Sequence, residues 1–420
     1  MGSVAEDIEV GVEVELALDA IASGGGCVGR EPGGRVVFVR HAIPGERVPA
    51  RVTEVNKRFL RADALQVLES SPHRVVPPCE HAGPGRCGGC DWQHIDSATQ
   101  RRLKAELVQE QLRRVARLER AVEVIEMPNH RSGLGWRTRV RYLVGADGRI
   151  GFRKYRSHEL HVVDRCLVAT SAVAEVPVRE PRLNGAEEIE VFALRNDRVA
   201  GHLVSVSSSG GLVDELAGIG GVIVDGEVHD PPAALIAVVG DEAFRVSHGA
   251  FWQVHEDAPK VLTDHVTELL AAQPGDRILD LYAGVGLFSV PLARQVGALG
   301  RLVAIEMSRV AHADLVHNLG DLSHAMAQLG RVTPSFIAGC GGVDLVVLDP
   351  PRQGAGAPVM EALARARPRA IVYVSCDVAT FARDVKVMTD NGWSLDILRC
   401  LDIFPMTEHV EIVARLVPSS

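Results

Sequence analysis

Short alternations of apolar and polar residues open the chain, at Val10–Leu18, Arg35–Val39 and Ala50–Val55. A period of two predicts strands with one buried face. Gly24–Gly26, Pro32–Gly33–Gly34 and Pro44–Gly45 separate them as turns. Strands this short, spaced this way, predict a small five-stranded barrel of the OB type, a platform suited to oligonucleotides. The period then becomes helical. Leu103, Leu107, Val108, Leu112, Val115 and Leu118 form one apolar stripe, which predicts a helix over 97–119, with Ser97 and Gln100 reading as a capping box. From Val122 to Glu242 the pattern is β-rich and loop-rich without a sharper signal. After Gly275, strand-like runs at Arg277–Tyr282, Arg301–Glu306, Val343–Asp349 and Ala370–Cys376 alternate with helical stretches. That alternation predicts a parallel, doubly wound sheet, whose ligands bind at the carboxyl ends of the strands.

Composition changes this picture little. The chain has 420 residues, 46% of them hydrophobic and 24% charged, enough for two or three domains with their own cores. No apolar run reaches the roughly 20 residues of a membrane span. Met1–Val10 is acidic and has no basic segment leading into an apolar stretch, so the expectation is a cytoplasmic protein without a secretory signal. Charge matters more. The net charge is −9, yet Arg101–Arg165 holds 16 Lys/Arg against 8 Asp/Glu. A basic zone on an acidic body can form a phosphate-binding face or a solvated helix face.

The chemistry concentrates at the ends of the later strands. Asp280–Leu281–Tyr282–Ala283–Gly284–Val285–Gly286 runs from a strand into a glycine turn, which lets the backbone approach a ligand at a helix N-terminus. Glu306 closes the next strand, where a carboxylate can accept both ribose hydroxyls. A nicotinamide dehydrogenase shares this layout, but Ser289 stands where its third glycine would be. Asp349–Pro350–Pro351–Arg352 at a later strand end favours a methyltransferase over that rival. Val374–Ser375–Cys376 ends another strand, so the Cys376 thiol is placed at the ligand edge. Phe404–Pro405–Met406–Thr407–Glu408–His409–Val410–Glu411 brings a carboxylate to the start of the last strand. A thiol and a carboxylate beside a methyl donor suit a pyrimidine C5. Thiolate addition at C6 makes C5 nucleophilic, and a base then removes the C5 proton.

Cys27, Cys340 and Cys400 read as small buried hydrophobes. Cys79, Cys87 and Cys90 lie within twelve residues, with Cys166 as a distant fourth. Four thiolates suit structural zinc or an iron–sulfur cluster, and spacing alone does not choose between them. Gly88 and Gly89 let the backbone wrap tightly and offer N–H groups to sulfur.

Taken together, these motifs resemble the RNA uracil-C5 methyltransferases that carry a TRAM domain and a [4Fe–4S] cluster. Gly33–Val39 leading to Ile43–Pro44–Gly45–Glu46 looks like a TRAM domain, which implies an RNA-binding barrel. Cys87–Gly88–Gly89–Cys90–Asp91–Trp92–Gln93 is similar to the family's cluster signature. The resemblance implies that Cys79, Cys87, Cys90 and Cys166 bind iron–sulfur rather than zinc. It implies S-adenosylmethionine contacts at Gln253, Tyr282, Glu306 and Asp349, beside Gly284 and Gly286 of the glycine turn, with Cys376 as nucleophile and Glu411 as proton acceptor. The expected architecture is multidomain α/β: a TRAM barrel over 8–70, a central β-rich cluster domain over 71–240 with helix 97–119 packing on the catalytic domain, and a Rossmann-like class I methyltransferase domain over 241–420. The expected partner is RNA, 23S rRNA ahead of tRNA, with no membrane and a monomeric chain. Three departures stand out. His255 and Asp377 each stand where the family has Asn, and the third strand region, Ser335–Gly342, lacks an acidic residue for adenine.

Two rivals remain. An exocyclic-amine methyltransferase would use Asp349–Pro350–Pro351, but Arg352 replaces its aromatic residue. An RNA-binding iron–sulfur protein with a non-catalytic methyltransferase fold would not need the Cys376/Glu411 pair.

Overall fold

The computed structural model describes residues 8–129, 132–178, 183–195, 200–208, 216 and 218–419. The chain divides into two compact units. The first comprises Met1–Leu107, Phe152–Val163 and Phe404–His409, and the second Val108–Gly151, Asp164–Ile403 and Val410–Ser420.

The first unit begins with β1 (Glu13–Ile21), β2 (Cys27–Arg30), β3 (Val36–Arg40), β4 (Arg47–Val55) and β5 (Phe59–Ala64). These close into a barrel in the order β1-β2-β3-β5-β4, as the alternating pattern predicts. Inward positions Leu16, Leu18, Val37, Val39, Val48, Val52 and Leu60 form its core, and closure leaves no open sheet edge. Cys27 lies in that core with its thiol donating to the Ala42 carbonyl at 3.1 Å. Burial pushes the thiol far up, so it is an inert packing residue. Buried Glu46 ties the barrel to the segment that follows. It takes two hydrogen bonds of 2.7 Å from Arg74 and further ones from the Ile43 and Ser71 backbones.

Helix α1 (Ser97–Gln111) follows, and a π-helical turn at Leu112–Ala116 ends it before the expected 119. Its cap differs from the capping box. The Asp96 carboxylate accepts the Thr99 N–H at 2.9 Å, so Asp96 is the N-cap. Gln100, expected to reach back to the cap, is buried instead. Its amide donates to the Trp92 and Ile95 carbonyls and accepts the Met406 N–H.

The second unit contains β6 (Val124–Ile125), β7 (Arg139–Val144) and β8 (Ile150–Arg153) as far as Gly151; β9 (Leu160–Val162) falls in the first unit. After α2 (Ser171–Ala174) come β10 (Ala186–Arg195), β11 (Ala200–Ser208), β12 (Val222–Val224) and β13 (Glu227–Asp230), which run β13-β12-β11-β10-β7-β8 in one sheet. A hairpin of β14 (Ala234–Val239) and β15 (Glu242–Ser247) leads to α3 (Ala258–Leu270).

The doubly wound layer then alternates β16 (Arg277–Leu281), α4 (Ser289–Val296), β17 (Arg301–Glu306), α5 (Arg309–Leu319), β18 (Ala325–Leu329), α6 (Pro334–Gly339), β19 (Leu345–Leu348), α7 (Ala357–Ala366), β20 (Ala370–Ser375) and α8 (Val378–Asp390). It closes with β21 (Trp393–Leu401) and β22 (Glu411–Pro418). The sheet order is β18-β17-β16-β19-β20-β22-β21-β6. Its central strands are parallel, and β22 inserts antiparallel between β20 and β21. Leu345–Leu348 and Ala370–Ser375 are buried at every position, as strands covered on both faces must be. The third strand is β18, so Ser335–Gly342 is not a strand. Thr333 caps α6 there by accepting the Phe336 N–H at 3.2 Å, with Pro334 in its first turn. Chain order reverses between β16 and β19, which opens a crevice at their carboxyl ends.

Candidate active site

All of the catalytic-half positions singled out by the sequence lie in the second unit, most of them at that crevice. β16 delivers Asp280, buried with its carboxylate accepting the Ser289 hydroxyl at 2.5 Å. The chain then turns through Tyr282 (φ +62°), Gly284 (φ +57°) and Gly286 (φ +95°) into α4. A Cβ on Gly284 would meet no atom within 4 Å, so this backbone faces open space. Glu306, at the end of β17, accepts the Gly284 N–H at 2.9 Å and the Ser308 N–H at 2.6 Å. Its carboxylate is thereby fixed against the glycine turn, with lone pairs left for a ligand hydroxyl. Gln253 is buried in the segment after β15. That segment is anchored where the Val254 carbonyl accepts the Thr138 N–H at 2.8 Å and where buried His255 stacks on Trp136 at 5.5 Å. The departure at His255 is therefore a packing choice.

Register brings the thiol and the base together. Ser375, the last residue of β20, faces Ile412 across the antiparallel β20–β22 ladder. Cys376 and Glu411 are the next residues along the two segments, close enough that the Glu411 charge raises the thiol. Asp349 follows β19, one place beyond the Leu281–Leu348 pair, with its N–H donated to the Leu281 carbonyl.

The electrostatics are one-sided. Burial, followed by the neighbouring Asp349 and Glu306 charges, pushes Asp280 up to about 7 despite the Ser289 hydrogen bond. Burial pushes Asp349 up to about 7 as well. Glu411 is driven well above the usual carboxylate range by burial and by Asp349, against a smaller opposing pull from Arg352. Cys376 is pushed up to about 11 by burial, Glu411 and Asp349, with Arg352 again opposing. Carboxylates crowded this closely repel each other, and a bound cation relieves that repulsion. A sulfonium meets this requirement. A dinucleotide pyrophosphate would worsen it, which disfavours the dehydrogenase reading.

Comparison with known proteins gives the same direction. Residues 8–65 match the TRAM domain family. An uncharacterized RNA methyltransferase of Streptomyces avermitilis is 40% identical, covering 98% of this chain and 99% of its own length. Others from Streptomyces coelicolor and Bifidobacterium longum are 41% and 33% identical, over 98% and 96% of this chain and 94% and 96% of their own lengths. The chain belongs to this RNA methyltransferase family. The crystal structure of Pyrococcus abyssi tRNA (uracil-54, C5)-methyltransferase in complex with S-adenosyl-L-homocysteine aligns over 96% of this chain and 99% of that one. Its TM-score is 0.73 and its identity 25%.

In this RNA methyltransferase the cysteine-rich segment sits in the first unit. Cys79, Cys87 and Cys90 are half-buried thiols that form no disulfide among the described residues. A Cβ on Gly88 would lie 2.8 Å from the Tyr155 backbone nitrogen, and one on Gly89 would lie 3.6 Å from the Cys87 sulfur. Gly88 thus lets the loop pack against the Arg153–Tyr155 backbone, while Gly89 leaves ordinary room beside the Cys87 sulfur. The Gly88 N–H is donated to the Arg153 carbonyl at 3.1 Å, so it is not one of the N–H groups available to sulfur. Cys166 belongs to the second unit. Cys400 is buried like Cys27, whereas Cys340 is half-buried. Among the described residues, no helix is long and apolar enough to cross a membrane.

Sequence reasoning passed over one residue of the site. Asp384 is buried in α8 and touches the loop after Asp349. It lies seven residues past the α8 N-cap Asp377, and no local sequence pattern marks it, because its partners are backbone N–H groups of a distant loop.

Proposed function

We propose that this RNA methyltransferase transfers a methyl group from S-adenosylmethionine to C5 of a uridine. Cys376 and Glu411, which adjoin the Ser375–Ile412 pair of the β20–β22 ladder, with the Glu411 charge acting on the thiol, carry this reading. Tyr282, Gly284, Gly286, Glu306, Asp349 and Gln253 would hold the cofactor, which supplies an electrophilic methyl. The open backbone at Gly284 and the surplus of carboxylates fit a cationic ligand. Cys376 gives up its proton to solvent and its sulfur adds to uracil C6, which opens the C5–C6 double bond and leaves an enolate with electron density at C5. Once C5 carries the methyl group, Glu411 takes the C5 proton. The electrons of that C–H bond restore the ring double bond and expel the Cys376 thiolate. A raised Glu411 suits proton acceptance, since a strongly acidic carboxylate would be a weak base.

The three clustered thiols are a soft donor set that fits iron–sulfur. Cys79, Cys87 and Cys90 would hold the [4Fe–4S] cluster, and Cys166 is the fourth ligand by family resemblance. Its role here is structural, and no step of the methyl transfer passes through it.

RNA in which uridine is replaced by 5-fluorouridine tests the mechanism, because fluorine at C5 cannot leave as a proton does. The wild type is expected to form a stable covalent protein–RNA adduct when the methyl donor is present, and Cys376→Ala to form none. Equal adduct in that variant removes Cys376 as nucleophile. Glu411→Gln is expected to hold methylated RNA covalently, and normal turnover by it removes Glu411 as base. Two RNAs divide the substrate assignment: 23S rRNA, which the TRAM-plus-cluster resemblance favours, and tRNA, the substrate named for the Pyrococcus abyssi enzyme. Mapping C5-methyluridine in both RNAs from cells lacking the gene separates them.

A further inference from the structure

The loop after Asp349 carries Arg352, whose charge is felt by both Cys376 and Glu411. Arg352 is itself exposed, and a long exposed side chain on a free loop would hold no fixed direction. This loop is held tightly by α8. The Thr380 hydroxyl donates to the Arg352 carbonyl at 3.0 Å, and the Arg383 guanidinium to the Gln353 carbonyl at 2.8 Å. Asp384 Oδ2 accepts the Ala355 N–H at 2.8 Å, the Gly356 N–H at 3.2 Å and the Tyr373 hydroxyl at 2.8 Å. Its Oδ1 accepts from Arg383 at 3.0 Å. Gly354, at φ +76°, has no room for a side chain, since a Cβ would lie 2.7 Å from both Arg383 and Asp384.

Thr380, Arg383 and Asp384 lie on one face of α8, whose N-cap, Asp377, directly follows Cys376. The helix that starts beside the nucleophile thus reaches back to grip the loop opposite. We propose that Asp384 is a positioning residue, which locks the Pro350–Gly356 loop so that Arg352 keeps its charge directed at Cys376 and Glu411. A buried carboxylate with every lone pair engaged is stable only in that arrangement. Arg352 opposes the other charges around the thiol: Glu411 and Asp349 raise it, and Arg352 alone among the named side chains lowers it.

This proposal rests on the reading of Cys376 as nucleophile, but its test needs neither RNA nor methyl transfer. The full-length protein is alkylated with iodoacetamide between pH 7 and pH 10, and modification of Cys376 is followed by peptide mass spectrometry. Arg352→Gln is expected to slow alkylation at pH 8 by about three- to tenfold, as a rise of up to one unit in the thiol would. Asp384→Asn is expected to slow it equally, and Arg352→Gln/Asp384→Asn to slow it no further than either alone. Gly354→Ala disturbs the same contact without removing a buried charge and is expected to behave like Asp384→Asn. It supplies the result if Asp384→Asn does not fold. An unchanged Cys376 profile in a folded Asp384 or Gly354 variant overturns the proposal. So do additive effects in the double variant. Loss of uracil-C5 activity in the wild type would refute the functional reading and leave this result standing.

Discussion

Asp280 and Asp349, both pushed up to about 7, remain protonated in the folded chain where unfolded carboxyls have already ionised. Native protein therefore binds more protons than unfolded protein between about pH 4 and pH 7. By linkage, this contribution to stability is complete below the unfolded values and is lost as pH rises through about 7. The ligand-free enzyme is expected to melt about 2–6 °C lower at pH 8 than at pH 5.5 on this account, and Asp280→Asn to flatten the slope. Cofactor affinity runs the other way. A sulfonium binds the ionised pair best, so S-adenosylmethionine should bind about tenfold more tightly at pH 8 than at pH 6. Calorimetric melting and binding titrations across that range check both. A melting slope equal in wild type and Asp280→Asn would show that another group is responsible.

At the scale of elements, the two glycines of the turn do different work. A Cβ on Gly286 would lie 2.8 Å from Leu315 in α5, so this glycine allows α5 to pack. Gly284 meets nothing and keeps space for a ligand. Gly286→Ala is expected to lower stability by about 1–3 kcal/mol through overpacking. Gly284→Ala is expected to lower it by only about 1 kcal/mol, from its positive φ, yet to weaken S-adenosylmethionine binding about tenfold. Thermal melting and equilibrium binding separate the two, and identical losses in both assays would collapse the distinction. The turn, the strands and the thiol were legible in the sequence because buried parallel strands are continuous apolar runs ending in polar chemistry. β18 was not legible. Ala325–Leu329 is an edge strand with no fully buried position, whereas the apolar Phe336–Ile337–Ala338 belongs to a helix that Thr333 caps. The true third strand also lacks a terminal acid, since Leu329 ends it and Gly330 and Arg331 follow. Asp384 was hidden because its partners are backbone N–H groups of a loop some thirty residues earlier, which no local pattern records.

For the whole molecule, the cysteines discriminate among readings that fold alone leaves open. A TRAM barrel and a doubly wound methyltransferase layer have hydrophobic cores of their own, so neither requires a metal to fold. The Cys79–Cys90 loop differs, because its thiols stand half-exposed and Gly83 and Gly85 face open space with no side chain to pack. A loop of that kind would gain order from the metal proposed for it. Zinc and iron–sulfur make different demands on preparation, since a cluster is lost to oxygen while zinc survives it. Protein purified without oxygen is therefore expected to contain iron and acid-labile sulfide in equal amounts, and air exposure should release both. Cys87→Ser should lose the iron, melt lower and become more sensitive to proteases within Cys79–Cys90. Because Cys376 stands apart from these thiols in chemistry and role, its alkylation by iodoacetamide should continue in the Cys87 variant. Wild-type protein that holds only zinc under anaerobic purification would overturn the iron–sulfur assignment and leave the methyl-transfer site as described.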